Sequence, residues 1–407
     1  MNLPSVSHEA IAVTGLGMVT CQGAGCENSW AGIAASRDAA TPWRHDLWLG
    51  KDAVRVAAAP PVACPEDMSA AFWQTLSRVQ QMACVAVDEA LLQAGLPHSL
   101  HDFDCGCFVS TSVCAMDCNE RFYARYRQQP ATAPLTPLKR VHPYELPHLL
   151  IKRHRITGPH YLNLTTCVGS AAAIGAAMDS IRSGLTSMAI VGGFDSLCGL
   201  LVSGFDALRL ISPTTCRPFA PTRDGILPGE GGAVLVLESA QHAAHRGVTP
   251  LGFLRGFGAS ADAFHITKPQ PEGRHAQRAV ETALADAAMH LRQIDYVHSH
   301  GTGTRDNDAM EAALYQKLFA GAAPPLTSTK HLTGHTFAAS GAIETAICLL
   351  AMGKGIYPPG PGPRMDSFTA GGTEQSPAKF NTALICNFAF GGNNTAIIAS
   401  QLEALPS

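Results

Sequence analysis

The sequence predicts an α/β protein built as two similar halves, residues 1–245 and 246–407. Three observations carry that expectation. Strand-like and helix-like runs alternate along the chain. The alternation pauses at a polar helical stretch after Glu238 and restarts at Leu251-Gly252-Phe253-Leu254, and a run of small residues behind a reactive side chain occurs once in each half. At 407 residues the chain also exceeds what one hydrophobic core usually serves.

The elements follow in order. Residues 10–17 read as the first strand, and the helical spacing of Met82, Val85, Ala86, Ala90, Leu91 and Leu92 predicts a helix over 81–93, stopped by Gly95 and Pro97. Strands are expected at 107–113, 161–164, 188–191 and 233–238, with a helix from Cys167 to about Ser183 ended by Gly184. In the second half a helix over 274–291 precedes a strand at 296–299, and Cys386 to Thr395 reads as a hairpin turn. Cys167-Val168-Gly169-Ser170-Ala171-Ala172-Ala173-Ile174 and His335-Thr336-Phe337-Ala338-Ala339-Ser340-Gly341-Ala342-Ile343 predict two buried helices. Their small side chains permit close approach about a pseudo-twofold axis, with both N-termini at one site.

Composition narrows the function classes. With 46% hydrophobic residues, 38 glycines and 15% charged residues, a compact protein with close backbone approaches is expected. A net charge of -3 gives no global reason to bind nucleic acid, although Arg121, Arg125, Arg127, Lys139, Arg140, Lys152, Arg153 and Arg155 concentrate positive charge in one stretch. Residues 1–20 carry Glu9 and no lysine or arginine, unlike a secretory leader, and the 13 scattered cysteines fit a reducing compartment, so a cytoplasmic location is expected. Gly192-Gly193, Asp195 and Gly204 interrupt the apolar run 188–205, which argues against a membrane span. Cys105, Cys107, Cys114 and Cys118 lack the paired CxxC spacing of zinc sites, and no metal or organic cofactor is signalled.

The chemistry-bearing residues fall at predicted element ends. Tyr296-Val297-His298-Ser299-His300-Gly301-Thr302-Gly303-Thr304 delivers His300 where a buried strand stops, and the Thr302 and Thr304 hydroxyls can hold a polar ligand there. Cys167 sits at a helix N-terminus, where the helix dipole favours a thiolate, so its pKa is expected below the free value. Lys330 and His335 flank the Gly334 turn, and Glu344 can neutralise a buried Lys330 while leaving His335 free to donate toward a ligand. The glycines of Phe388-Ala389-Phe390-Gly391-Gly392 expose backbone N–H groups suited to an oxyanion hole.

In this order the pieces resemble, over nearly the whole chain, the elongating β-ketoacyl-[acyl-carrier-protein] synthases of the thiolase superfamily. The matching motifs are Val13-Thr14-Gly15-Leu16-Gly17, Cys167-Val168-Gly169-Ser170, Arg217-Pro218-Phe219 through Arg223-Asp224-Gly225 to Gly229-Glu230-Gly231, His300 to Thr304 with Asp308 and Glu311, Ser328-Thr329-Lys330 with Gly334-His335, and Phe388 to Gly392.

The resemblance implies a thiolase-like fold with two similar halves in a five-layer α-β-α-β-α arrangement. It implies that Cys167 accepts the acyl group, that His300 and His335 bind the malonyl thioester carbonyl and stabilise the enolate, and that Lys330 and Glu344 organise His335. Thr302 and Thr304 match positions that hold a phosphopantetheine arm. The N–H groups of Cys167 and Phe390 match the oxyanion hole, and Phe388 and Phe390 match substrate-binding positions, Phe390 as a gate. The implied reaction is a decarboxylative Claisen condensation in fatty acid, polyketide or aryl-polyene biosynthesis. An acyl carrier protein is the implied partner, together with a second copy or a related ketosynthase-like subunit.

Three positions depart from the family pattern. Val168 stands where Ala or Ser is common, Phe337-Ala338-Ala339-Ser340-Gly341 replaces a Gly-Ala-Ala-Gly run, and Phe388-Ala389-Phe390 replaces Gly-Phe-Gly. Larger residues there predict a shortened or reshaped acyl tunnel. A non-catalytic chain-length partner is expected to lack the cysteine, and a thiolase or simple acyltransferase to pair it with a different second residue. Cys167 with two histidines argues against both, and labelling of Cys167 by a covalent condensing-enzyme inhibitor separates an enzyme from a scaffold.

Overall fold

The computed structural model describes residues 9–44, 53–320, 323–360 and 380–401. The core elements of the first half are β1 (Ile11–Thr20), α1 (Arg78–Gln93), β2 (Cys105–Ser110), β3 (His160–Asn163), α2 (Gly169–Arg182), β4 (Met188–Asp195) and β5 (Gly231–Ser239). Those of the second are β6 (Gly252–Ala261), α3 (Arg274–Asp286), β7 (Tyr296–His298), α4 (Arg305–Phe319), β8 (Leu326–Thr327), α5 (Ser340–Lys354), β9 (Thr382–Phe388) and β10 (Asn393–Ser400).

Strand order exposes the duplication. The first half runs β1-β5-β4-β2-β3 and the second β6-β10-β9-β7-β8, the same path in each half's own numbering. In both, the first two pairings are antiparallel and the last two parallel. The halves join edge to edge through Ile11 opposite Leu254 and Val13 opposite Gly252.

Helices α2 and α5 pack between the sheet halves in one shared core that includes Ala171, Ile174, Ala342, Ile343 and Ile347. Their approach is so close that a Cβ on Gly341 would lie 2.8 Å from Ala171. Outside, α1 covers the first half with Val79, Met82 and Ala86 against Val109, Ile190 and Val236, while α3 and α4 cover the second with Ala279, Ala283 and Leu314 against Leu384 and Ile398. The result is five layers, α-β-α-β-α. The glycine-punctuated strands explain how the outer helices seat. A Cβ at Gly17 would stand 1.8 Å from the Ala86 carbonyl oxygen, and one at Gly258 2.0 Å from that of Ala279, so each half uses a glycine where its outer helix crosses its first strand.

Element ends differ from the sequence reading for local reasons. Helix α1 starts earlier, at Arg78, because Ser77 and Gln80 form a capping box. Strand β2 stops at Ser110, since the N–H groups of Ser112 and Val113 turn to the Asp195 carboxylate. The helix expected over 274–291 ends at Asp286, and a short 3₁₀ turn, Leu291–Gln293, follows. Among the described residues, Phe337–Lys354 is long and apolar enough to cross a membrane, but 83% of it is buried inside the fold as a core helix.

Candidate active site

The nucleophile candidate rises from a strained turn. After β3 the chain makes a 3₁₀ turn, Thr166–Val168, before entering α2, and Thr166 takes a left-handed φ of 46°. The second half repeats this with Phe337–Ala339 ahead of α5 and Phe337 at φ 50°. The structural counterpart of Cys167 is therefore Ala338, and the echo read between Cys167 and His335 holds for the helices but not for the reactive side chains. His335 comes earlier, clamped by the first half: its N–H donates to the Leu227 carbonyl at 2.7 Å, and its own carbonyl accepts from the Gly229 N–H at 3.0 Å.

His300 leaves β7 in a loop whose backbone is held by two buried carboxylates of α4. Glu311 accepts from the N–H groups of His300 (2.9 Å) and Gly301 (2.6 Å), and Asp308 from those of Gly303 (3.2 Å) and Phe219 (2.7 Å). Burial, with Asp308 alongside, pushes the Glu311 carboxyl up to about 8.

Cys167 Sγ and one ring nitrogen each of His300 and His335 lie within 4.8 Å of one another, on residues 6%, 1% and 3% exposed. The imidazole rings stand edge to face, centroids 5.3 Å apart at 86°. Hydrogen bonding fixes both tautomers. His300 Nδ1 faces the Lys330 ammonium at 3.3 Å and the Asn387 amide nitrogen at 3.5 Å, both donors, so its proton sits on Nε2. His335 Nδ1 accepts the Phe337 N–H at 3.2 Å, which leaves its proton on Nε2 as well. Burial, followed by the Lys330 charge, holds both imidazoles well below 6.5, hence neutral. Two N–H donors thus converge beside one thiol.

Two expectations need correction. Lys330 and Glu344 stand behind His300 rather than His335: Lys330 Nζ donates to the His300 carbonyl at 2.7 Å, to its Nδ1 and to Glu344, whose other oxygen accepts from Asn387 at 2.6 Å. The reason is strand pairing, because β8, which leads into Lys330, runs parallel to β7, which leads into His300. The pKa of Cys167 is not depressed either. Burial pushes it up to about 12, against the pull of the Lys330 charge and of backbone groups of Phe390 and Cys167 that hydrogen-bond the sulfur. At this buried turn desolvation outweighs the helix terminus.

A cavity of about 560 Å³ opens onto the thiol, lined by Cys167, His300, His335, Thr302, Thr304, Phe388 and Phe390, with Arg209 and Arg305 among its further lining residues. The Thr302 and Thr304 hydroxyl oxygens are 2.9 Å apart. Lys330 and Glu344 lie behind this lining.

Comparison with known proteins decides the family. The family description "Beta-ketoacyl synthase, N-terminal domain" matches residues 8–243, and "Beta-ketoacyl synthase, C-terminal domain" matches residues 251–362. The chain belongs to the beta-ketoacyl synthase family. It is 30% identical to Nodulation protein E of Rhizobium sp. (strain N33), over 96% of this chain and 99% of that protein. It is equally 30% identical to 3-oxoacyl-[acyl-carrier-protein] synthase 2 of Rhizobium meliloti (strain 1021), over 95% and 98%. The crystal structure of a beta-ketoacyl synthase from Burkholderia phymatum STM815 superposes with a TM-score of 0.87 at 28% identity, over 97% of this chain and 100% of that one. The activity is that of a 3-oxoacyl-[acyl-carrier-protein] synthase, an acyltransferase catalysing condensation in fatty acid or polyketide biosynthesis. Solved structures that share the fold include a ketosynthase with its acyl-carrier protein and a ketosynthase with its chain length factor.

The synthase also uses residues that sequence reasoning passed over. Asp195, fully buried at the end of β4, accepts from Thr111 Oγ1 (2.9 Å), Ser112 N–H (2.8 Å) and the Ala338 N–H (2.8 Å), tying the loop after β2 to the turn before α5. Asn387 does similar work behind His300. Each is a polar residue inside an otherwise apolar strand, a signal available in the sequence. Phe205 had no such signal. It stacks on Phe390 (5.7 Å, 23°) and packs against Phe337 (5.3 Å), which in turn stacks on the His335 ring (5.0 Å, 17°).

The basic stretch is partly spent inside the protein. Arg121 pairs with Asp117, Arg140 with Glu145, and Arg153 with Asp67 and Asp88. Arg125, Arg127, Lys139, Lys152 and Arg155 are exposed. Cys105 and Cys107 pack in the α1-side core, whereas Cys114 and Cys118 sit in a separate cluster.

Proposed function

We propose that the synthase extends an acyl chain by decarboxylative Claisen condensation, with residues 1–245 supplying the nucleophile Cys167 and residues 246–407 supplying His300 and His335. The observation that carries this reading is the convergence of two neutral imidazoles, each with its proton on Nε2, on one buried thiol.

In the first step Cys167 Sγ attacks the acyl thioester, the bond from the acyl carbon to the carrier sulfur breaks, and the thiol proton ends on the carrier thiol. Oxyanion charge develops beside the backbone N–H groups of Cys167 and Phe390, each such donor being worth roughly 3 kcal/mol of barrier. In the second step the malonyl thioester oxygen accepts the Nε2–H bonds of His300 and His335. The bond to the carboxylate breaks, carbon dioxide leaves, and the electron pair enters the enolate. The enolate carbon attacks the acyl carbon on Cys167, whose sulfur leaves and takes up a solvent proton. Lys330 and Glu344 are positioning residues that keep His300 Nδ1 an acceptor, and Thr302 and Thr304 hold the phosphopantetheine arm. Phe388 and Phe390 line the acyl path, with Phe390 as its gate.

The partner is an acyl carrier protein. Arg209 and Arg305 at the cavity, with the exposed Arg125, Arg127, Lys139, Lys152 and Arg155, suit its acidic surface. A second copy or a related ketosynthase-like subunit completes the assembly, in the cytoplasm. The Phe205 and Phe390 rings that line the cavity, with Phe337 packed behind Phe205, favour a short or planar unsaturated acyl group, whose flat face stacks on them.

Separating the half-reactions tests this assignment. His300→Ala and His335→Ala are expected to retain acyl loading on Cys167 while carbon dioxide release from malonyl carrier protein falls at least about 100-fold, on the scale of lost oxyanion donors. Unimpaired release in both variants removes the histidines from the decarboxylation step.

A further inference from the structure

Away from the cavity, α1, the loop after it and the helix Glu145–His154 bring together three metal-ligating side chains, Asp88, His98 and His154, with one ligand atom of each lying within 4.8 Å of the others. His98 Nε2 is 3.6 Å from Asp88 Oδ1, and His154 Nε2 is 3.8 Å from the same oxygen. These separations are too long for good hydrogen bonds.

The orientation of each group is set by its other partners. His154, whose side chain is 0% exposed, directs Nδ1 at the His98 carbonyl, 3.0 Å away. A carbonyl only accepts, so Nδ1 carries the proton and Nε2 presents a lone pair, the arrangement that commonly orients a ligating histidine. Arg153 donates to Asp88 Oδ2 at 2.7 Å, which leaves Oδ1 turned to the imidazoles. Both His154 Nε2 and Asp88 Oδ1 are buried without a hydrogen-bond partner. Two acceptor atoms facing each other without a donor between them leave desolvation uncompensated, and a cation compensates both.

We propose that Asp88, His98 and His154 bind a divalent transition-metal ion of the zinc class, its fourth position taken by water. Two imidazole nitrogens and a carboxylate oxygen are a zinc donor set, and a tetrahedral ion at about 2.0–2.1 Å holds its ligand atoms about 3.3 Å apart, close to the spacing found here. Asp67 Oδ2, 3.5 Å from His98 Nε2, borders the site but is held by Arg153 at 2.7 Å. The ion ties α1 to the helix Glu145–His154, beside the bond from the Leu100 N–H to the His154 carbonyl at 2.7 Å. Sequence spacing hides the site, because His98 and His154 lie far apart along the chain and belong to no motif.

Cys167, His300 and His335 are a rival thiol and imidazole cluster, so the test is made on full-length Cys167→Ala protein stripped with chelator and titrated with zinc alone by calorimetry. One equivalent is expected to bind, and adding His98→Ala or Asp88→Asn is expected to weaken that binding at least tenfold. His98 is 45% exposed and its ring meets that of His154 at 4.5 Å, so circular dichroism must be unchanged in the variant. Cobalt(II) alone is expected to give the intense visible bands of a tetrahedral site in Cys167→Ala and to lose them in Cys167→Ala with His98→Ala. Absence of zinc binding by Cys167→Ala, or equal affinity with and without His98, overturns the proposal.

Discussion

The turn before α2 and the turn before α5 are near copies in backbone and opposites in chemistry. Both begin with a left-handed residue, Thr166 or Phe337, pass through a 3₁₀ turn and enter a small-residue central helix. One offers a thiol at Cys167; the other puts Ala338 in that place, packs an aromatic ring under His335 and gives its Ala338 N–H to Asp195. Duplication therefore supplies a scaffold in which two helix N-termini meet. The reaction depends on what the copies do not share, since one half carries the nucleophile candidate and the other both histidines.

The most drastic way to break the comparison is to make the turns alike. Cys167→Ala places alanine at both, and condensation is expected to fall by at least about 10³-fold while the fold persists, read by product formation and circular dichroism. A second contrast lies in how each imidazole is backed. Behind His300 stands a buried ion pair; behind His335, a backbone N–H and a serine hydroxyl. Glu344→Ala leaves Lys330 uncompensated and is expected to cost about 3–5 kcal/mol in urea denaturation, whereas Ser340→Ala is expected to cost about 1 kcal/mol or less.

The titrating groups sharpen the contrast by pH. The thiol is held high, up to about 12, so its alkylation rate is expected to climb roughly tenfold per pH unit from about pH 7 to 9, with no plateau. A plateau near neutrality would mean that the helix terminus, not burial, governs Cys167. The imidazoles are held low and stay neutral, so carbon dioxide release is expected to be flat from about pH 6 to 8 and to fall only as acid approaches their depressed values.

The smallest effects concern the aromatic wall. Phe390→Ala and Phe337→Gly are expected to move acyl-chain preference toward longer chains by a few-fold in kcat/KM, about 1 kcal/mol of discrimination. An unchanged profile in Phe390→Ala counts against its gating role.

Much of this was legible in the sequence, for physical reasons that also mark where legibility stopped. Alternating runs and the Ala/Gly-rich runs prescribe layers and a repeat, because close approach leaves only small residues at the contacts, as at Gly341 against Ala171. Cys167, His300 and His335 were legible because each lies in a glycine- or small-residue-marked turn beside an element. The position of Lys330 was not, since its contact with His300 comes from parallel pairing of β7 with β8, a long-range choice that no local pattern encodes. The resting state of Cys167 was misread because a helix terminus is visible in sequence and the depth of burial is not. Asp195 and Asn387 join separate elements: Asp195 meets Ala338 only when the halves close on each other, and Asn387 meets Glu344 only when β9 packs against α5.

The most direct test of the central claim is intact-protein mass spectrometry on the synthase mixed with acyl carrier proteins and then with malonyl carrier protein, beside Cys167→Ala. The expected result is an acyl mass on Cys167 that disappears on malonyl addition, with carbon dioxide and an extended β-ketoacyl carrier formed, and no such mass in Cys167→Ala. An acyl mass that forms equally in Cys167→Ala, or one on Cys167 that persists unchanged while carbon dioxide is released, would contradict condensation at this thiol.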